Sequence, residues 1–144
     1  MNVPEACERA LRDGFIAAGI VGTYRCFRLD DVTLEATEPT AATVIALKFA
    51  PDTPRGYKDP ARSVRGTITL ITDYNSDKKH ATLTAVETSV RNYLESEAFA
   101  TEFADTGVTF NAVMFEDSPL PIEDMATSSI ELAVELNVCA AWAT

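Results

Sequence analysis

The sequence is poor in the residues that most chemistry needs. Its 144 residues contain one histidine, one tryptophan and three cysteines. Cys7, Cys26 and Cys139 are odd in number, widely spaced and without a CxxC pair, which argues against a zinc ribbon or a redox dithiol and for reduced thiols used as small hydrophobes. No apolar run approaches the roughly 20 residues that a membrane-spanning helix requires. The first residues, with Glu5, Glu8, Arg9 and Arg12, have the pattern of neither a signal peptide nor an Arg-rich transit peptide. Together these features predict synthesis in a cytoplasm and no membrane partner. There is no G-x-S-x-G elbow, no G-x-G-x-x-G and no P-loop. Basic charge is also scarce: 12 Lys and Arg stand against 22 Asp and Glu, a formal charge of −10. A protein that grips nucleic acid neutralises phosphates with cations, so a duplex-coating role is excluded.

The deficit of bases is local. Residues 1–80 hold 11 bases and 11 acids, whereas residues 81–144 hold a single base, Arg91, against 11 acids. The overall composition, 47% hydrophobic and 24% charged, is that of a globular core. The length suits one domain, 1–144.

Along the chain, Asn2 followed by Glu5 with Pro4 between them reads as a capping box, and Cys7, Leu11, Phe15 and Ala18 recur at helical spacing. This predicts a helix over about 3–18, ended by Gly19 and Gly22, with Glu5, Glu8, Arg9 and Arg12 on its outer face. Residues 24–29 are read as a strand, 30–42 as an acidic loop or weak edge strand, and 43–49 as an alternating strand. Residues 50–63 concentrate Pro51, Pro54 and Pro60 and read as a long loop, unable to pair as a central strand. Val64 to Thr72 is a β-branched strand in which Gly66 marks a bulge. Asp73, Asn75 and Ser76 end it and cap a helix over about 77–96, whose Glu87, Arg91 and Glu95 lie four apart along an exposed edge. Phe99 and Phe103 follow in a short extension closed at Gly107. Val108 to Phe115 alternates as a strand, and residues 116–127 form an acidic linker.

The last segment has the plainest pattern. Ile130, Leu132, Val134, Leu136, Val138, Ala140 and Trp142 hold every even position, with Glu131, Ala133, Glu135, Asn137, Cys139 and Ala141 between them. One face is apolar and the other polar or small, as in an antiparallel strand with a wet side. Thirteen residues would reach about 43 Å, longer than usual strands. That length predicts a strand running beyond its own domain or along a neighbour. The whole pattern predicts an α+β fold: a mostly antiparallel sheet with two helices packed on one face and a long Pro-rich loop.

Candidate site residues are few. His80 has no His or Cys at ligand spacing and reads as a solvated or capping residue. Glu116, Asp117, Glu123 and Asp124 lack the spacing of a calcium loop. Glu131 and Glu135 share one side of the last strand about 13 Å apart, too far for a glycosidase pair, and are candidates for an acidic lining. Arg55, Lys58, Arg62 and Arg65 form a base-rich stretch suited to docking on the acidic half of a second copy. A loop of one subunit on the sheet of the next is a heterologous contact that closes into a ring. No catalytic, cofactor-binding or metal site is expected.

The order of elements, the strand R-G-T-I-T-L-I-T (Arg65 to Thr72), the helix after it and the final I-E-L-A-V-E-L-N-V-C-A-A-W resemble the tail terminator, or tail completion, proteins of long-tailed bacteriophages. The resemblance covers most of the chain except residues 30–42. It implies a virion structural protein and not an enzyme: a hexameric ring, made in the bacterial host cytoplasm, that caps the tail tube and joins it to a head-side neck or connector protein. It implies no cofactor. It also places Arg55, Lys58 and Arg62 among inter-subunit and tube contacts. An acidic wall would let DNA pass without binding it. Other neck and tail-end connector subunits share this layout. A small dimeric α+β binding module pairing through the last strand, and a small enzyme using His80 with nearby carboxylates, are the competing readings.

Overall fold

The computed structural model of the protein describes residues 2–21, 26–28, 44–51, 53–54, 61–73, 81–104, 106–115, 122–124 and 127–140. Helix α1 (Val3–Ala17) starts at the expected capping box: the Asn2 side chain accepts from the Glu5 amide at 2.8 Å, and the Glu5 carboxylate accepts from the Asn2 amide at 3.4 Å. Its end is a Schellman turn. Gly19 takes a φ of 75°, its amide donates to Ile16 O at 3.1 Å, and the Ile20 amide donates to Phe15 O at 3.0 Å. Asn2→Ala is expected to cost about 1 kcal/mol, about 3 °C in melting temperature, with Asn2→Ser close to wild type; thermal denaturation checks this.

Helix α1 buries Val3, Ala6, Cys7, Ala10, Leu11 and Phe15. Glu8, expected on the outer face, is only 9% exposed. It lies three residues before Leu11 and seven before Phe15, on the flank of the apolar stripe, and the covered arc is wider than the stripe. On the exposed side Arg9 pairs with Asp13 at 3.6 Å.

Among the described residues seven strands form one sheet: β1 (Cys26–Arg28), β2 (Val44–Phe49), β3 (Thr53–Pro54), β4 (Ala61–Asp73), β5 (Val108–Phe115), β6 (Ile122–Asp124) and β7 (Thr127–Ala140). The order is β1-β2-β4-β7-β5, with β3 beside β4 and β6 beside β7. Among the described residues only β1 and β2 pair in parallel. Helix α2 (Ala81–Leu94) packs on β4 and β7, α1 packs on β1 and β2, and the short α3 (Glu97–Thr101) bridges α1, α2 and β5. The α+β architecture, a mostly antiparallel sheet with helices on one face, is the one expected.

The alternation of β7 sets the layers. Ile130, Leu132, Val134, Leu136, Val138 and Ala140 are buried under the helices. The pairings Leu70↔Ile130, Ile68↔Leu132, Gly66↔Val134 and Val64↔Leu136 put the β4 core residues on that same face. Ile45 and Leu47 continue it on β2.

Four expectations are corrected. First, β7 is an interior strand: β4 pairs with it from Thr127 to Cys139, and β5 and β6 pair along its other side. It is one residue longer than β4, and strands of its own sheet lie along both of its sides. Second, the Pro-rich stretch 50–63 is not all loop. Thr53–Pro54 pairs at the edge, where proline is tolerated, and Ala61, Arg62 and Ser63 belong to β4. Those three residues carry no proline and simply extend the alternation of Val64 to Thr72. Third, pairing runs without a break through Gly66, and the bulge lies in β5 between Phe110 and Ala112. Gly66 is small because the Phe49 ring lies over it. Fourth, the linker 116–127 contains β6, which folds back on Thr127–Ser129. The segments 30–42, 55–60 and 74–80 lie outside the described residues.

Candidate assembly surface

The face of the sheet away from the helices is built by the odd positions of β7 and their partners. Three rows cross it. Lys48 pairs with Thr67 and Thr67 with Ala133; Arg65 pairs with Glu135 and Glu135 with Met114; Ser63 pairs with Asn137 and Asn137 with Ala112. Among the described residues these side chains are exposed or half-buried and no helix packs over them. A cavity of about 680 Å³ is lined by Lys48, Phe49, Arg65, Thr67, Met114 and Glu135, among others.

The candidate residues distribute unevenly on this scaffold. Arg55 and Lys58 lie outside the described residues, as do His80, Glu116, Asp117 and Trp142. Arg65 projects from β4 with its side chain 81% exposed. Arg62, three residues earlier, stands opposite Val138 on the helix side, with its Nε buried. An odd separation on a strand sends two side chains to opposite faces, so these two do not act on one surface. Glu131 and Glu135 share the open face as expected. Glu131 is exposed across from Thr69. Glu135 is half-buried, accepts a hydrogen bond from Ser63 Oγ and faces Arg65 Nε at 3.7 Å.

The structure thus joins Arg65 with Glu135, a pair that the sequence divides between a basic and an acidic set. Alternation places Ala133 on this face, whereas Lys48, Thr67 and Met114 are brought beside it by the strand register. On the open face Lys48 and Arg65 lie on neighbouring rows with Glu131 and Glu135. Other acids of the C-terminal half sit in the helical layer. Glu95 and Glu97 are exposed there.

Glu87 is a correction: expected on an exposed edge, it is 7% exposed. Its Oε1 accepts from Arg91 Nε at 3.1 Å, and the Arg91 guanidinium lies 5.0 Å from the centre of the Phe115 ring. This pair bridges α2 to β5, so its burial comes from the sheet rim under the helix. Burial, then the Glu102 carboxylate, push the Tyr93 hydroxyl above its ordinary range. Among the described residues no cluster of metal-ligating side chains occurs, and no helix is long and apolar enough to cross a membrane.

No protein-family model matches this sequence, and no protein of curated function matches it either. A solved structure does share its fold: a chain described as "Virion of native gene transfer agent (GTA) particle", 20% identical, with a TM-score of 0.59, covering 96% of both chains.

Proposed function

We propose that the protein is a structural subunit of a virion, a tail terminator that assembles as a hexameric ring, caps the tail tube and joins it to a head-side neck or connector protein. The observation that carries this reading is the shared fold with a chain of a gene transfer agent virion, end to end over 96% of both chains. The resemblance of the strand from Arg65 to Thr72 and of the final strand to tail terminators supports the finer assignment. The role is architectural, without catalysis or cofactor.

In this reading Arg55, Lys58 and Arg65 contact neighbouring subunits or the tube, and Arg62 makes such a contact from the opposite side of its strand. Glu131 and Glu135 line a wall that DNA passes without being bound. The Arg65–Glu135 pairing offsets one of its charges.

Native mass spectrometry of the purified protein with a tail tube protein is expected to show six-subunit rings, and imaging should show tubes capped and no longer elongating. A species that stays monomeric at every concentration and leaves tube growth unchanged would overturn the reading. Rings that bind a head-side connector but ignore tubes would assign the protein to the neck instead.

A further inference from the structure

The sheet ends on one side at β5, and among the described residues nothing pairs with its outer edge. Free strand edges template further strands, and proteins usually blunt them with charges, proline or shortness. Strand β1, at the opposite end, is three residues long and contains Arg28. Strand β5 is eight residues long, V-T-F-N-A-V-M-F, with no charge and no proline. Its one irregularity is the bulge at Asn111, which leaves Ala112–Phe115 paired in unbroken register with β7.

The side chains of β5 are also incompletely covered. Met114, 52% exposed, is the exposed large apolar residue among those described. Phe110, Val113 and Phe115 face the core yet are only half-buried. A strand added beside β5 would satisfy its outward backbone groups and cover these three on the helix side.

Charge decides what kind of strand this is. Asp105 precedes β5 in sequence, and Glu116 and Asp117 follow it. A second copy of β5 laid beside the first, in either direction, would bring together two chains of the same negative charge and the same acid-flanked sequence. Either arrangement juxtaposes like charges, on a chain whose net charge is already −10.

We propose that the β5 edge is a docking site for an extended segment of another protein, one with alternating apolar residues, an uncharged centre and basic flanks, which adds as a further strand of the sheet. The site does not depend on the ring reading: a failed peptide test leaves ring formation untouched, and a protein that forms no rings can still capture the strand.

The test uses the full chain and a synthetic peptide in which valine and threonine alternate between paired lysines at each end. Amide hydrogen exchange, followed with rising peptide, is expected to slow within 108–115 and to stay unchanged in α1. A peptide with the same centre flanked by glutamates should need about tenfold more for equal protection, and an N-methylated backbone should give none. Met114→Lys, at an exposed position, should keep the native circular dichroism and weaken the lysine-flanked peptide by about tenfold. Unchanged exchange in 108–115 at saturating peptide would overturn the proposal, as would equal binding of the two charge variants. Protection of β5 that rises with protein concentration alone would overturn it in favour of a second copy.

Discussion

Replacing Phe99 by alanine is expected to destabilise the protein by about 3–5 kcal/mol, seen as a lower denaturant midpoint at unchanged slope. Phe99 is fully buried. Its ring centre lies 4.8 Å from Phe110, 5.2 Å from Phe103 and 5.9 Å from Tyr93, and Tyr93 lies 5.8 Å from Phe15. One ring therefore touches α2, the turn after α3, and β5, and through Tyr93 reaches α1. Helix α3 has five residues and could not persist by itself, so Phe99 is the anchor that makes it a defined element. Truncation leaves a void between two layers that cannot collapse independently, because Phe103 and Phe110 are stacked at 5.6 Å and 12° and hold each other. Edge-to-face geometry adds about 0.5–1.5 kcal/mol per aromatic pair beyond the area term. Phe99→Leu keeps most of the volume and should cost less than half as much. Against a typical stability of about 5–15 kcal/mol the alanine variant is near the limit of folding, and assembly should fall with it. A loss below about 1 kcal/mol would show that α3 does not tie the helices to β5.

The parts of this fold that could be read from sequence are those whose cause is local. The start of α1 needs only Asn2, Pro4 and Glu5, and the capping bonds formed as read. The burial of β7 follows from strict alternation, which names the inner and outer faces without reference to any other strand. The illegible parts depend on partners far away in sequence. Alternation says nothing about which edge of a strand is paired, so it reads β7 as overreaching although β4 and β5 pair on its two sides. Arg65 opposite Glu135, and Ser63 beside both, follow from a register between segments about seventy residues apart. Arg62 and Arg65 belong to one base-rich stretch of sequence, and the strand that begins at Ala61 sends them to opposite faces. Glu8 and Glu87 sit on helix flanks, where periodicity locates the middle of the buried stripe but not its width. The width is set by the sheet below, whose rim at Phe115 receives the Glu87–Arg91 pair. For the same reason alternation alone does not bring the cations Lys48 and Arg65 beside Glu131 and Glu135.

Gly66→Ala should also destabilise, by about 1–3 kcal/mol, although a glycine inside a strand is ordinarily about 0.5–1 kcal/mol worse than alanine. The two effects have opposite sign, and the local geometry decides between them. A Cβ at Gly66 would lie 2.6 Å from Phe49 Cε1 and 2.7 Å from the Lys48 carbonyl oxygen. The ring can swing aside at the cost of its packing on the core. The carbonyl cannot, because β2 and β4 are locked through Lys48↔Thr67 and Phe49↔Gly66. Gly66 is not one of the glycines with positive φ, so alanine meets a steric problem and not a conformational one. The two contributions separate in a double-mutant cycle. With Phe49→Ala in place, Gly66→Ala should cost less than in the wild type but remain unfavourable, since the Lys48 oxygen is still there. Gly66→Val should be worse than alanine in both backgrounds. Equal stability of Gly66→Ala and wild type would mean that β2 and β4 can part at this point. The 680 Å³ cavity beside Lys48, Phe49 and Gly66 would then be a deformable opening and not a shape held by the sheet.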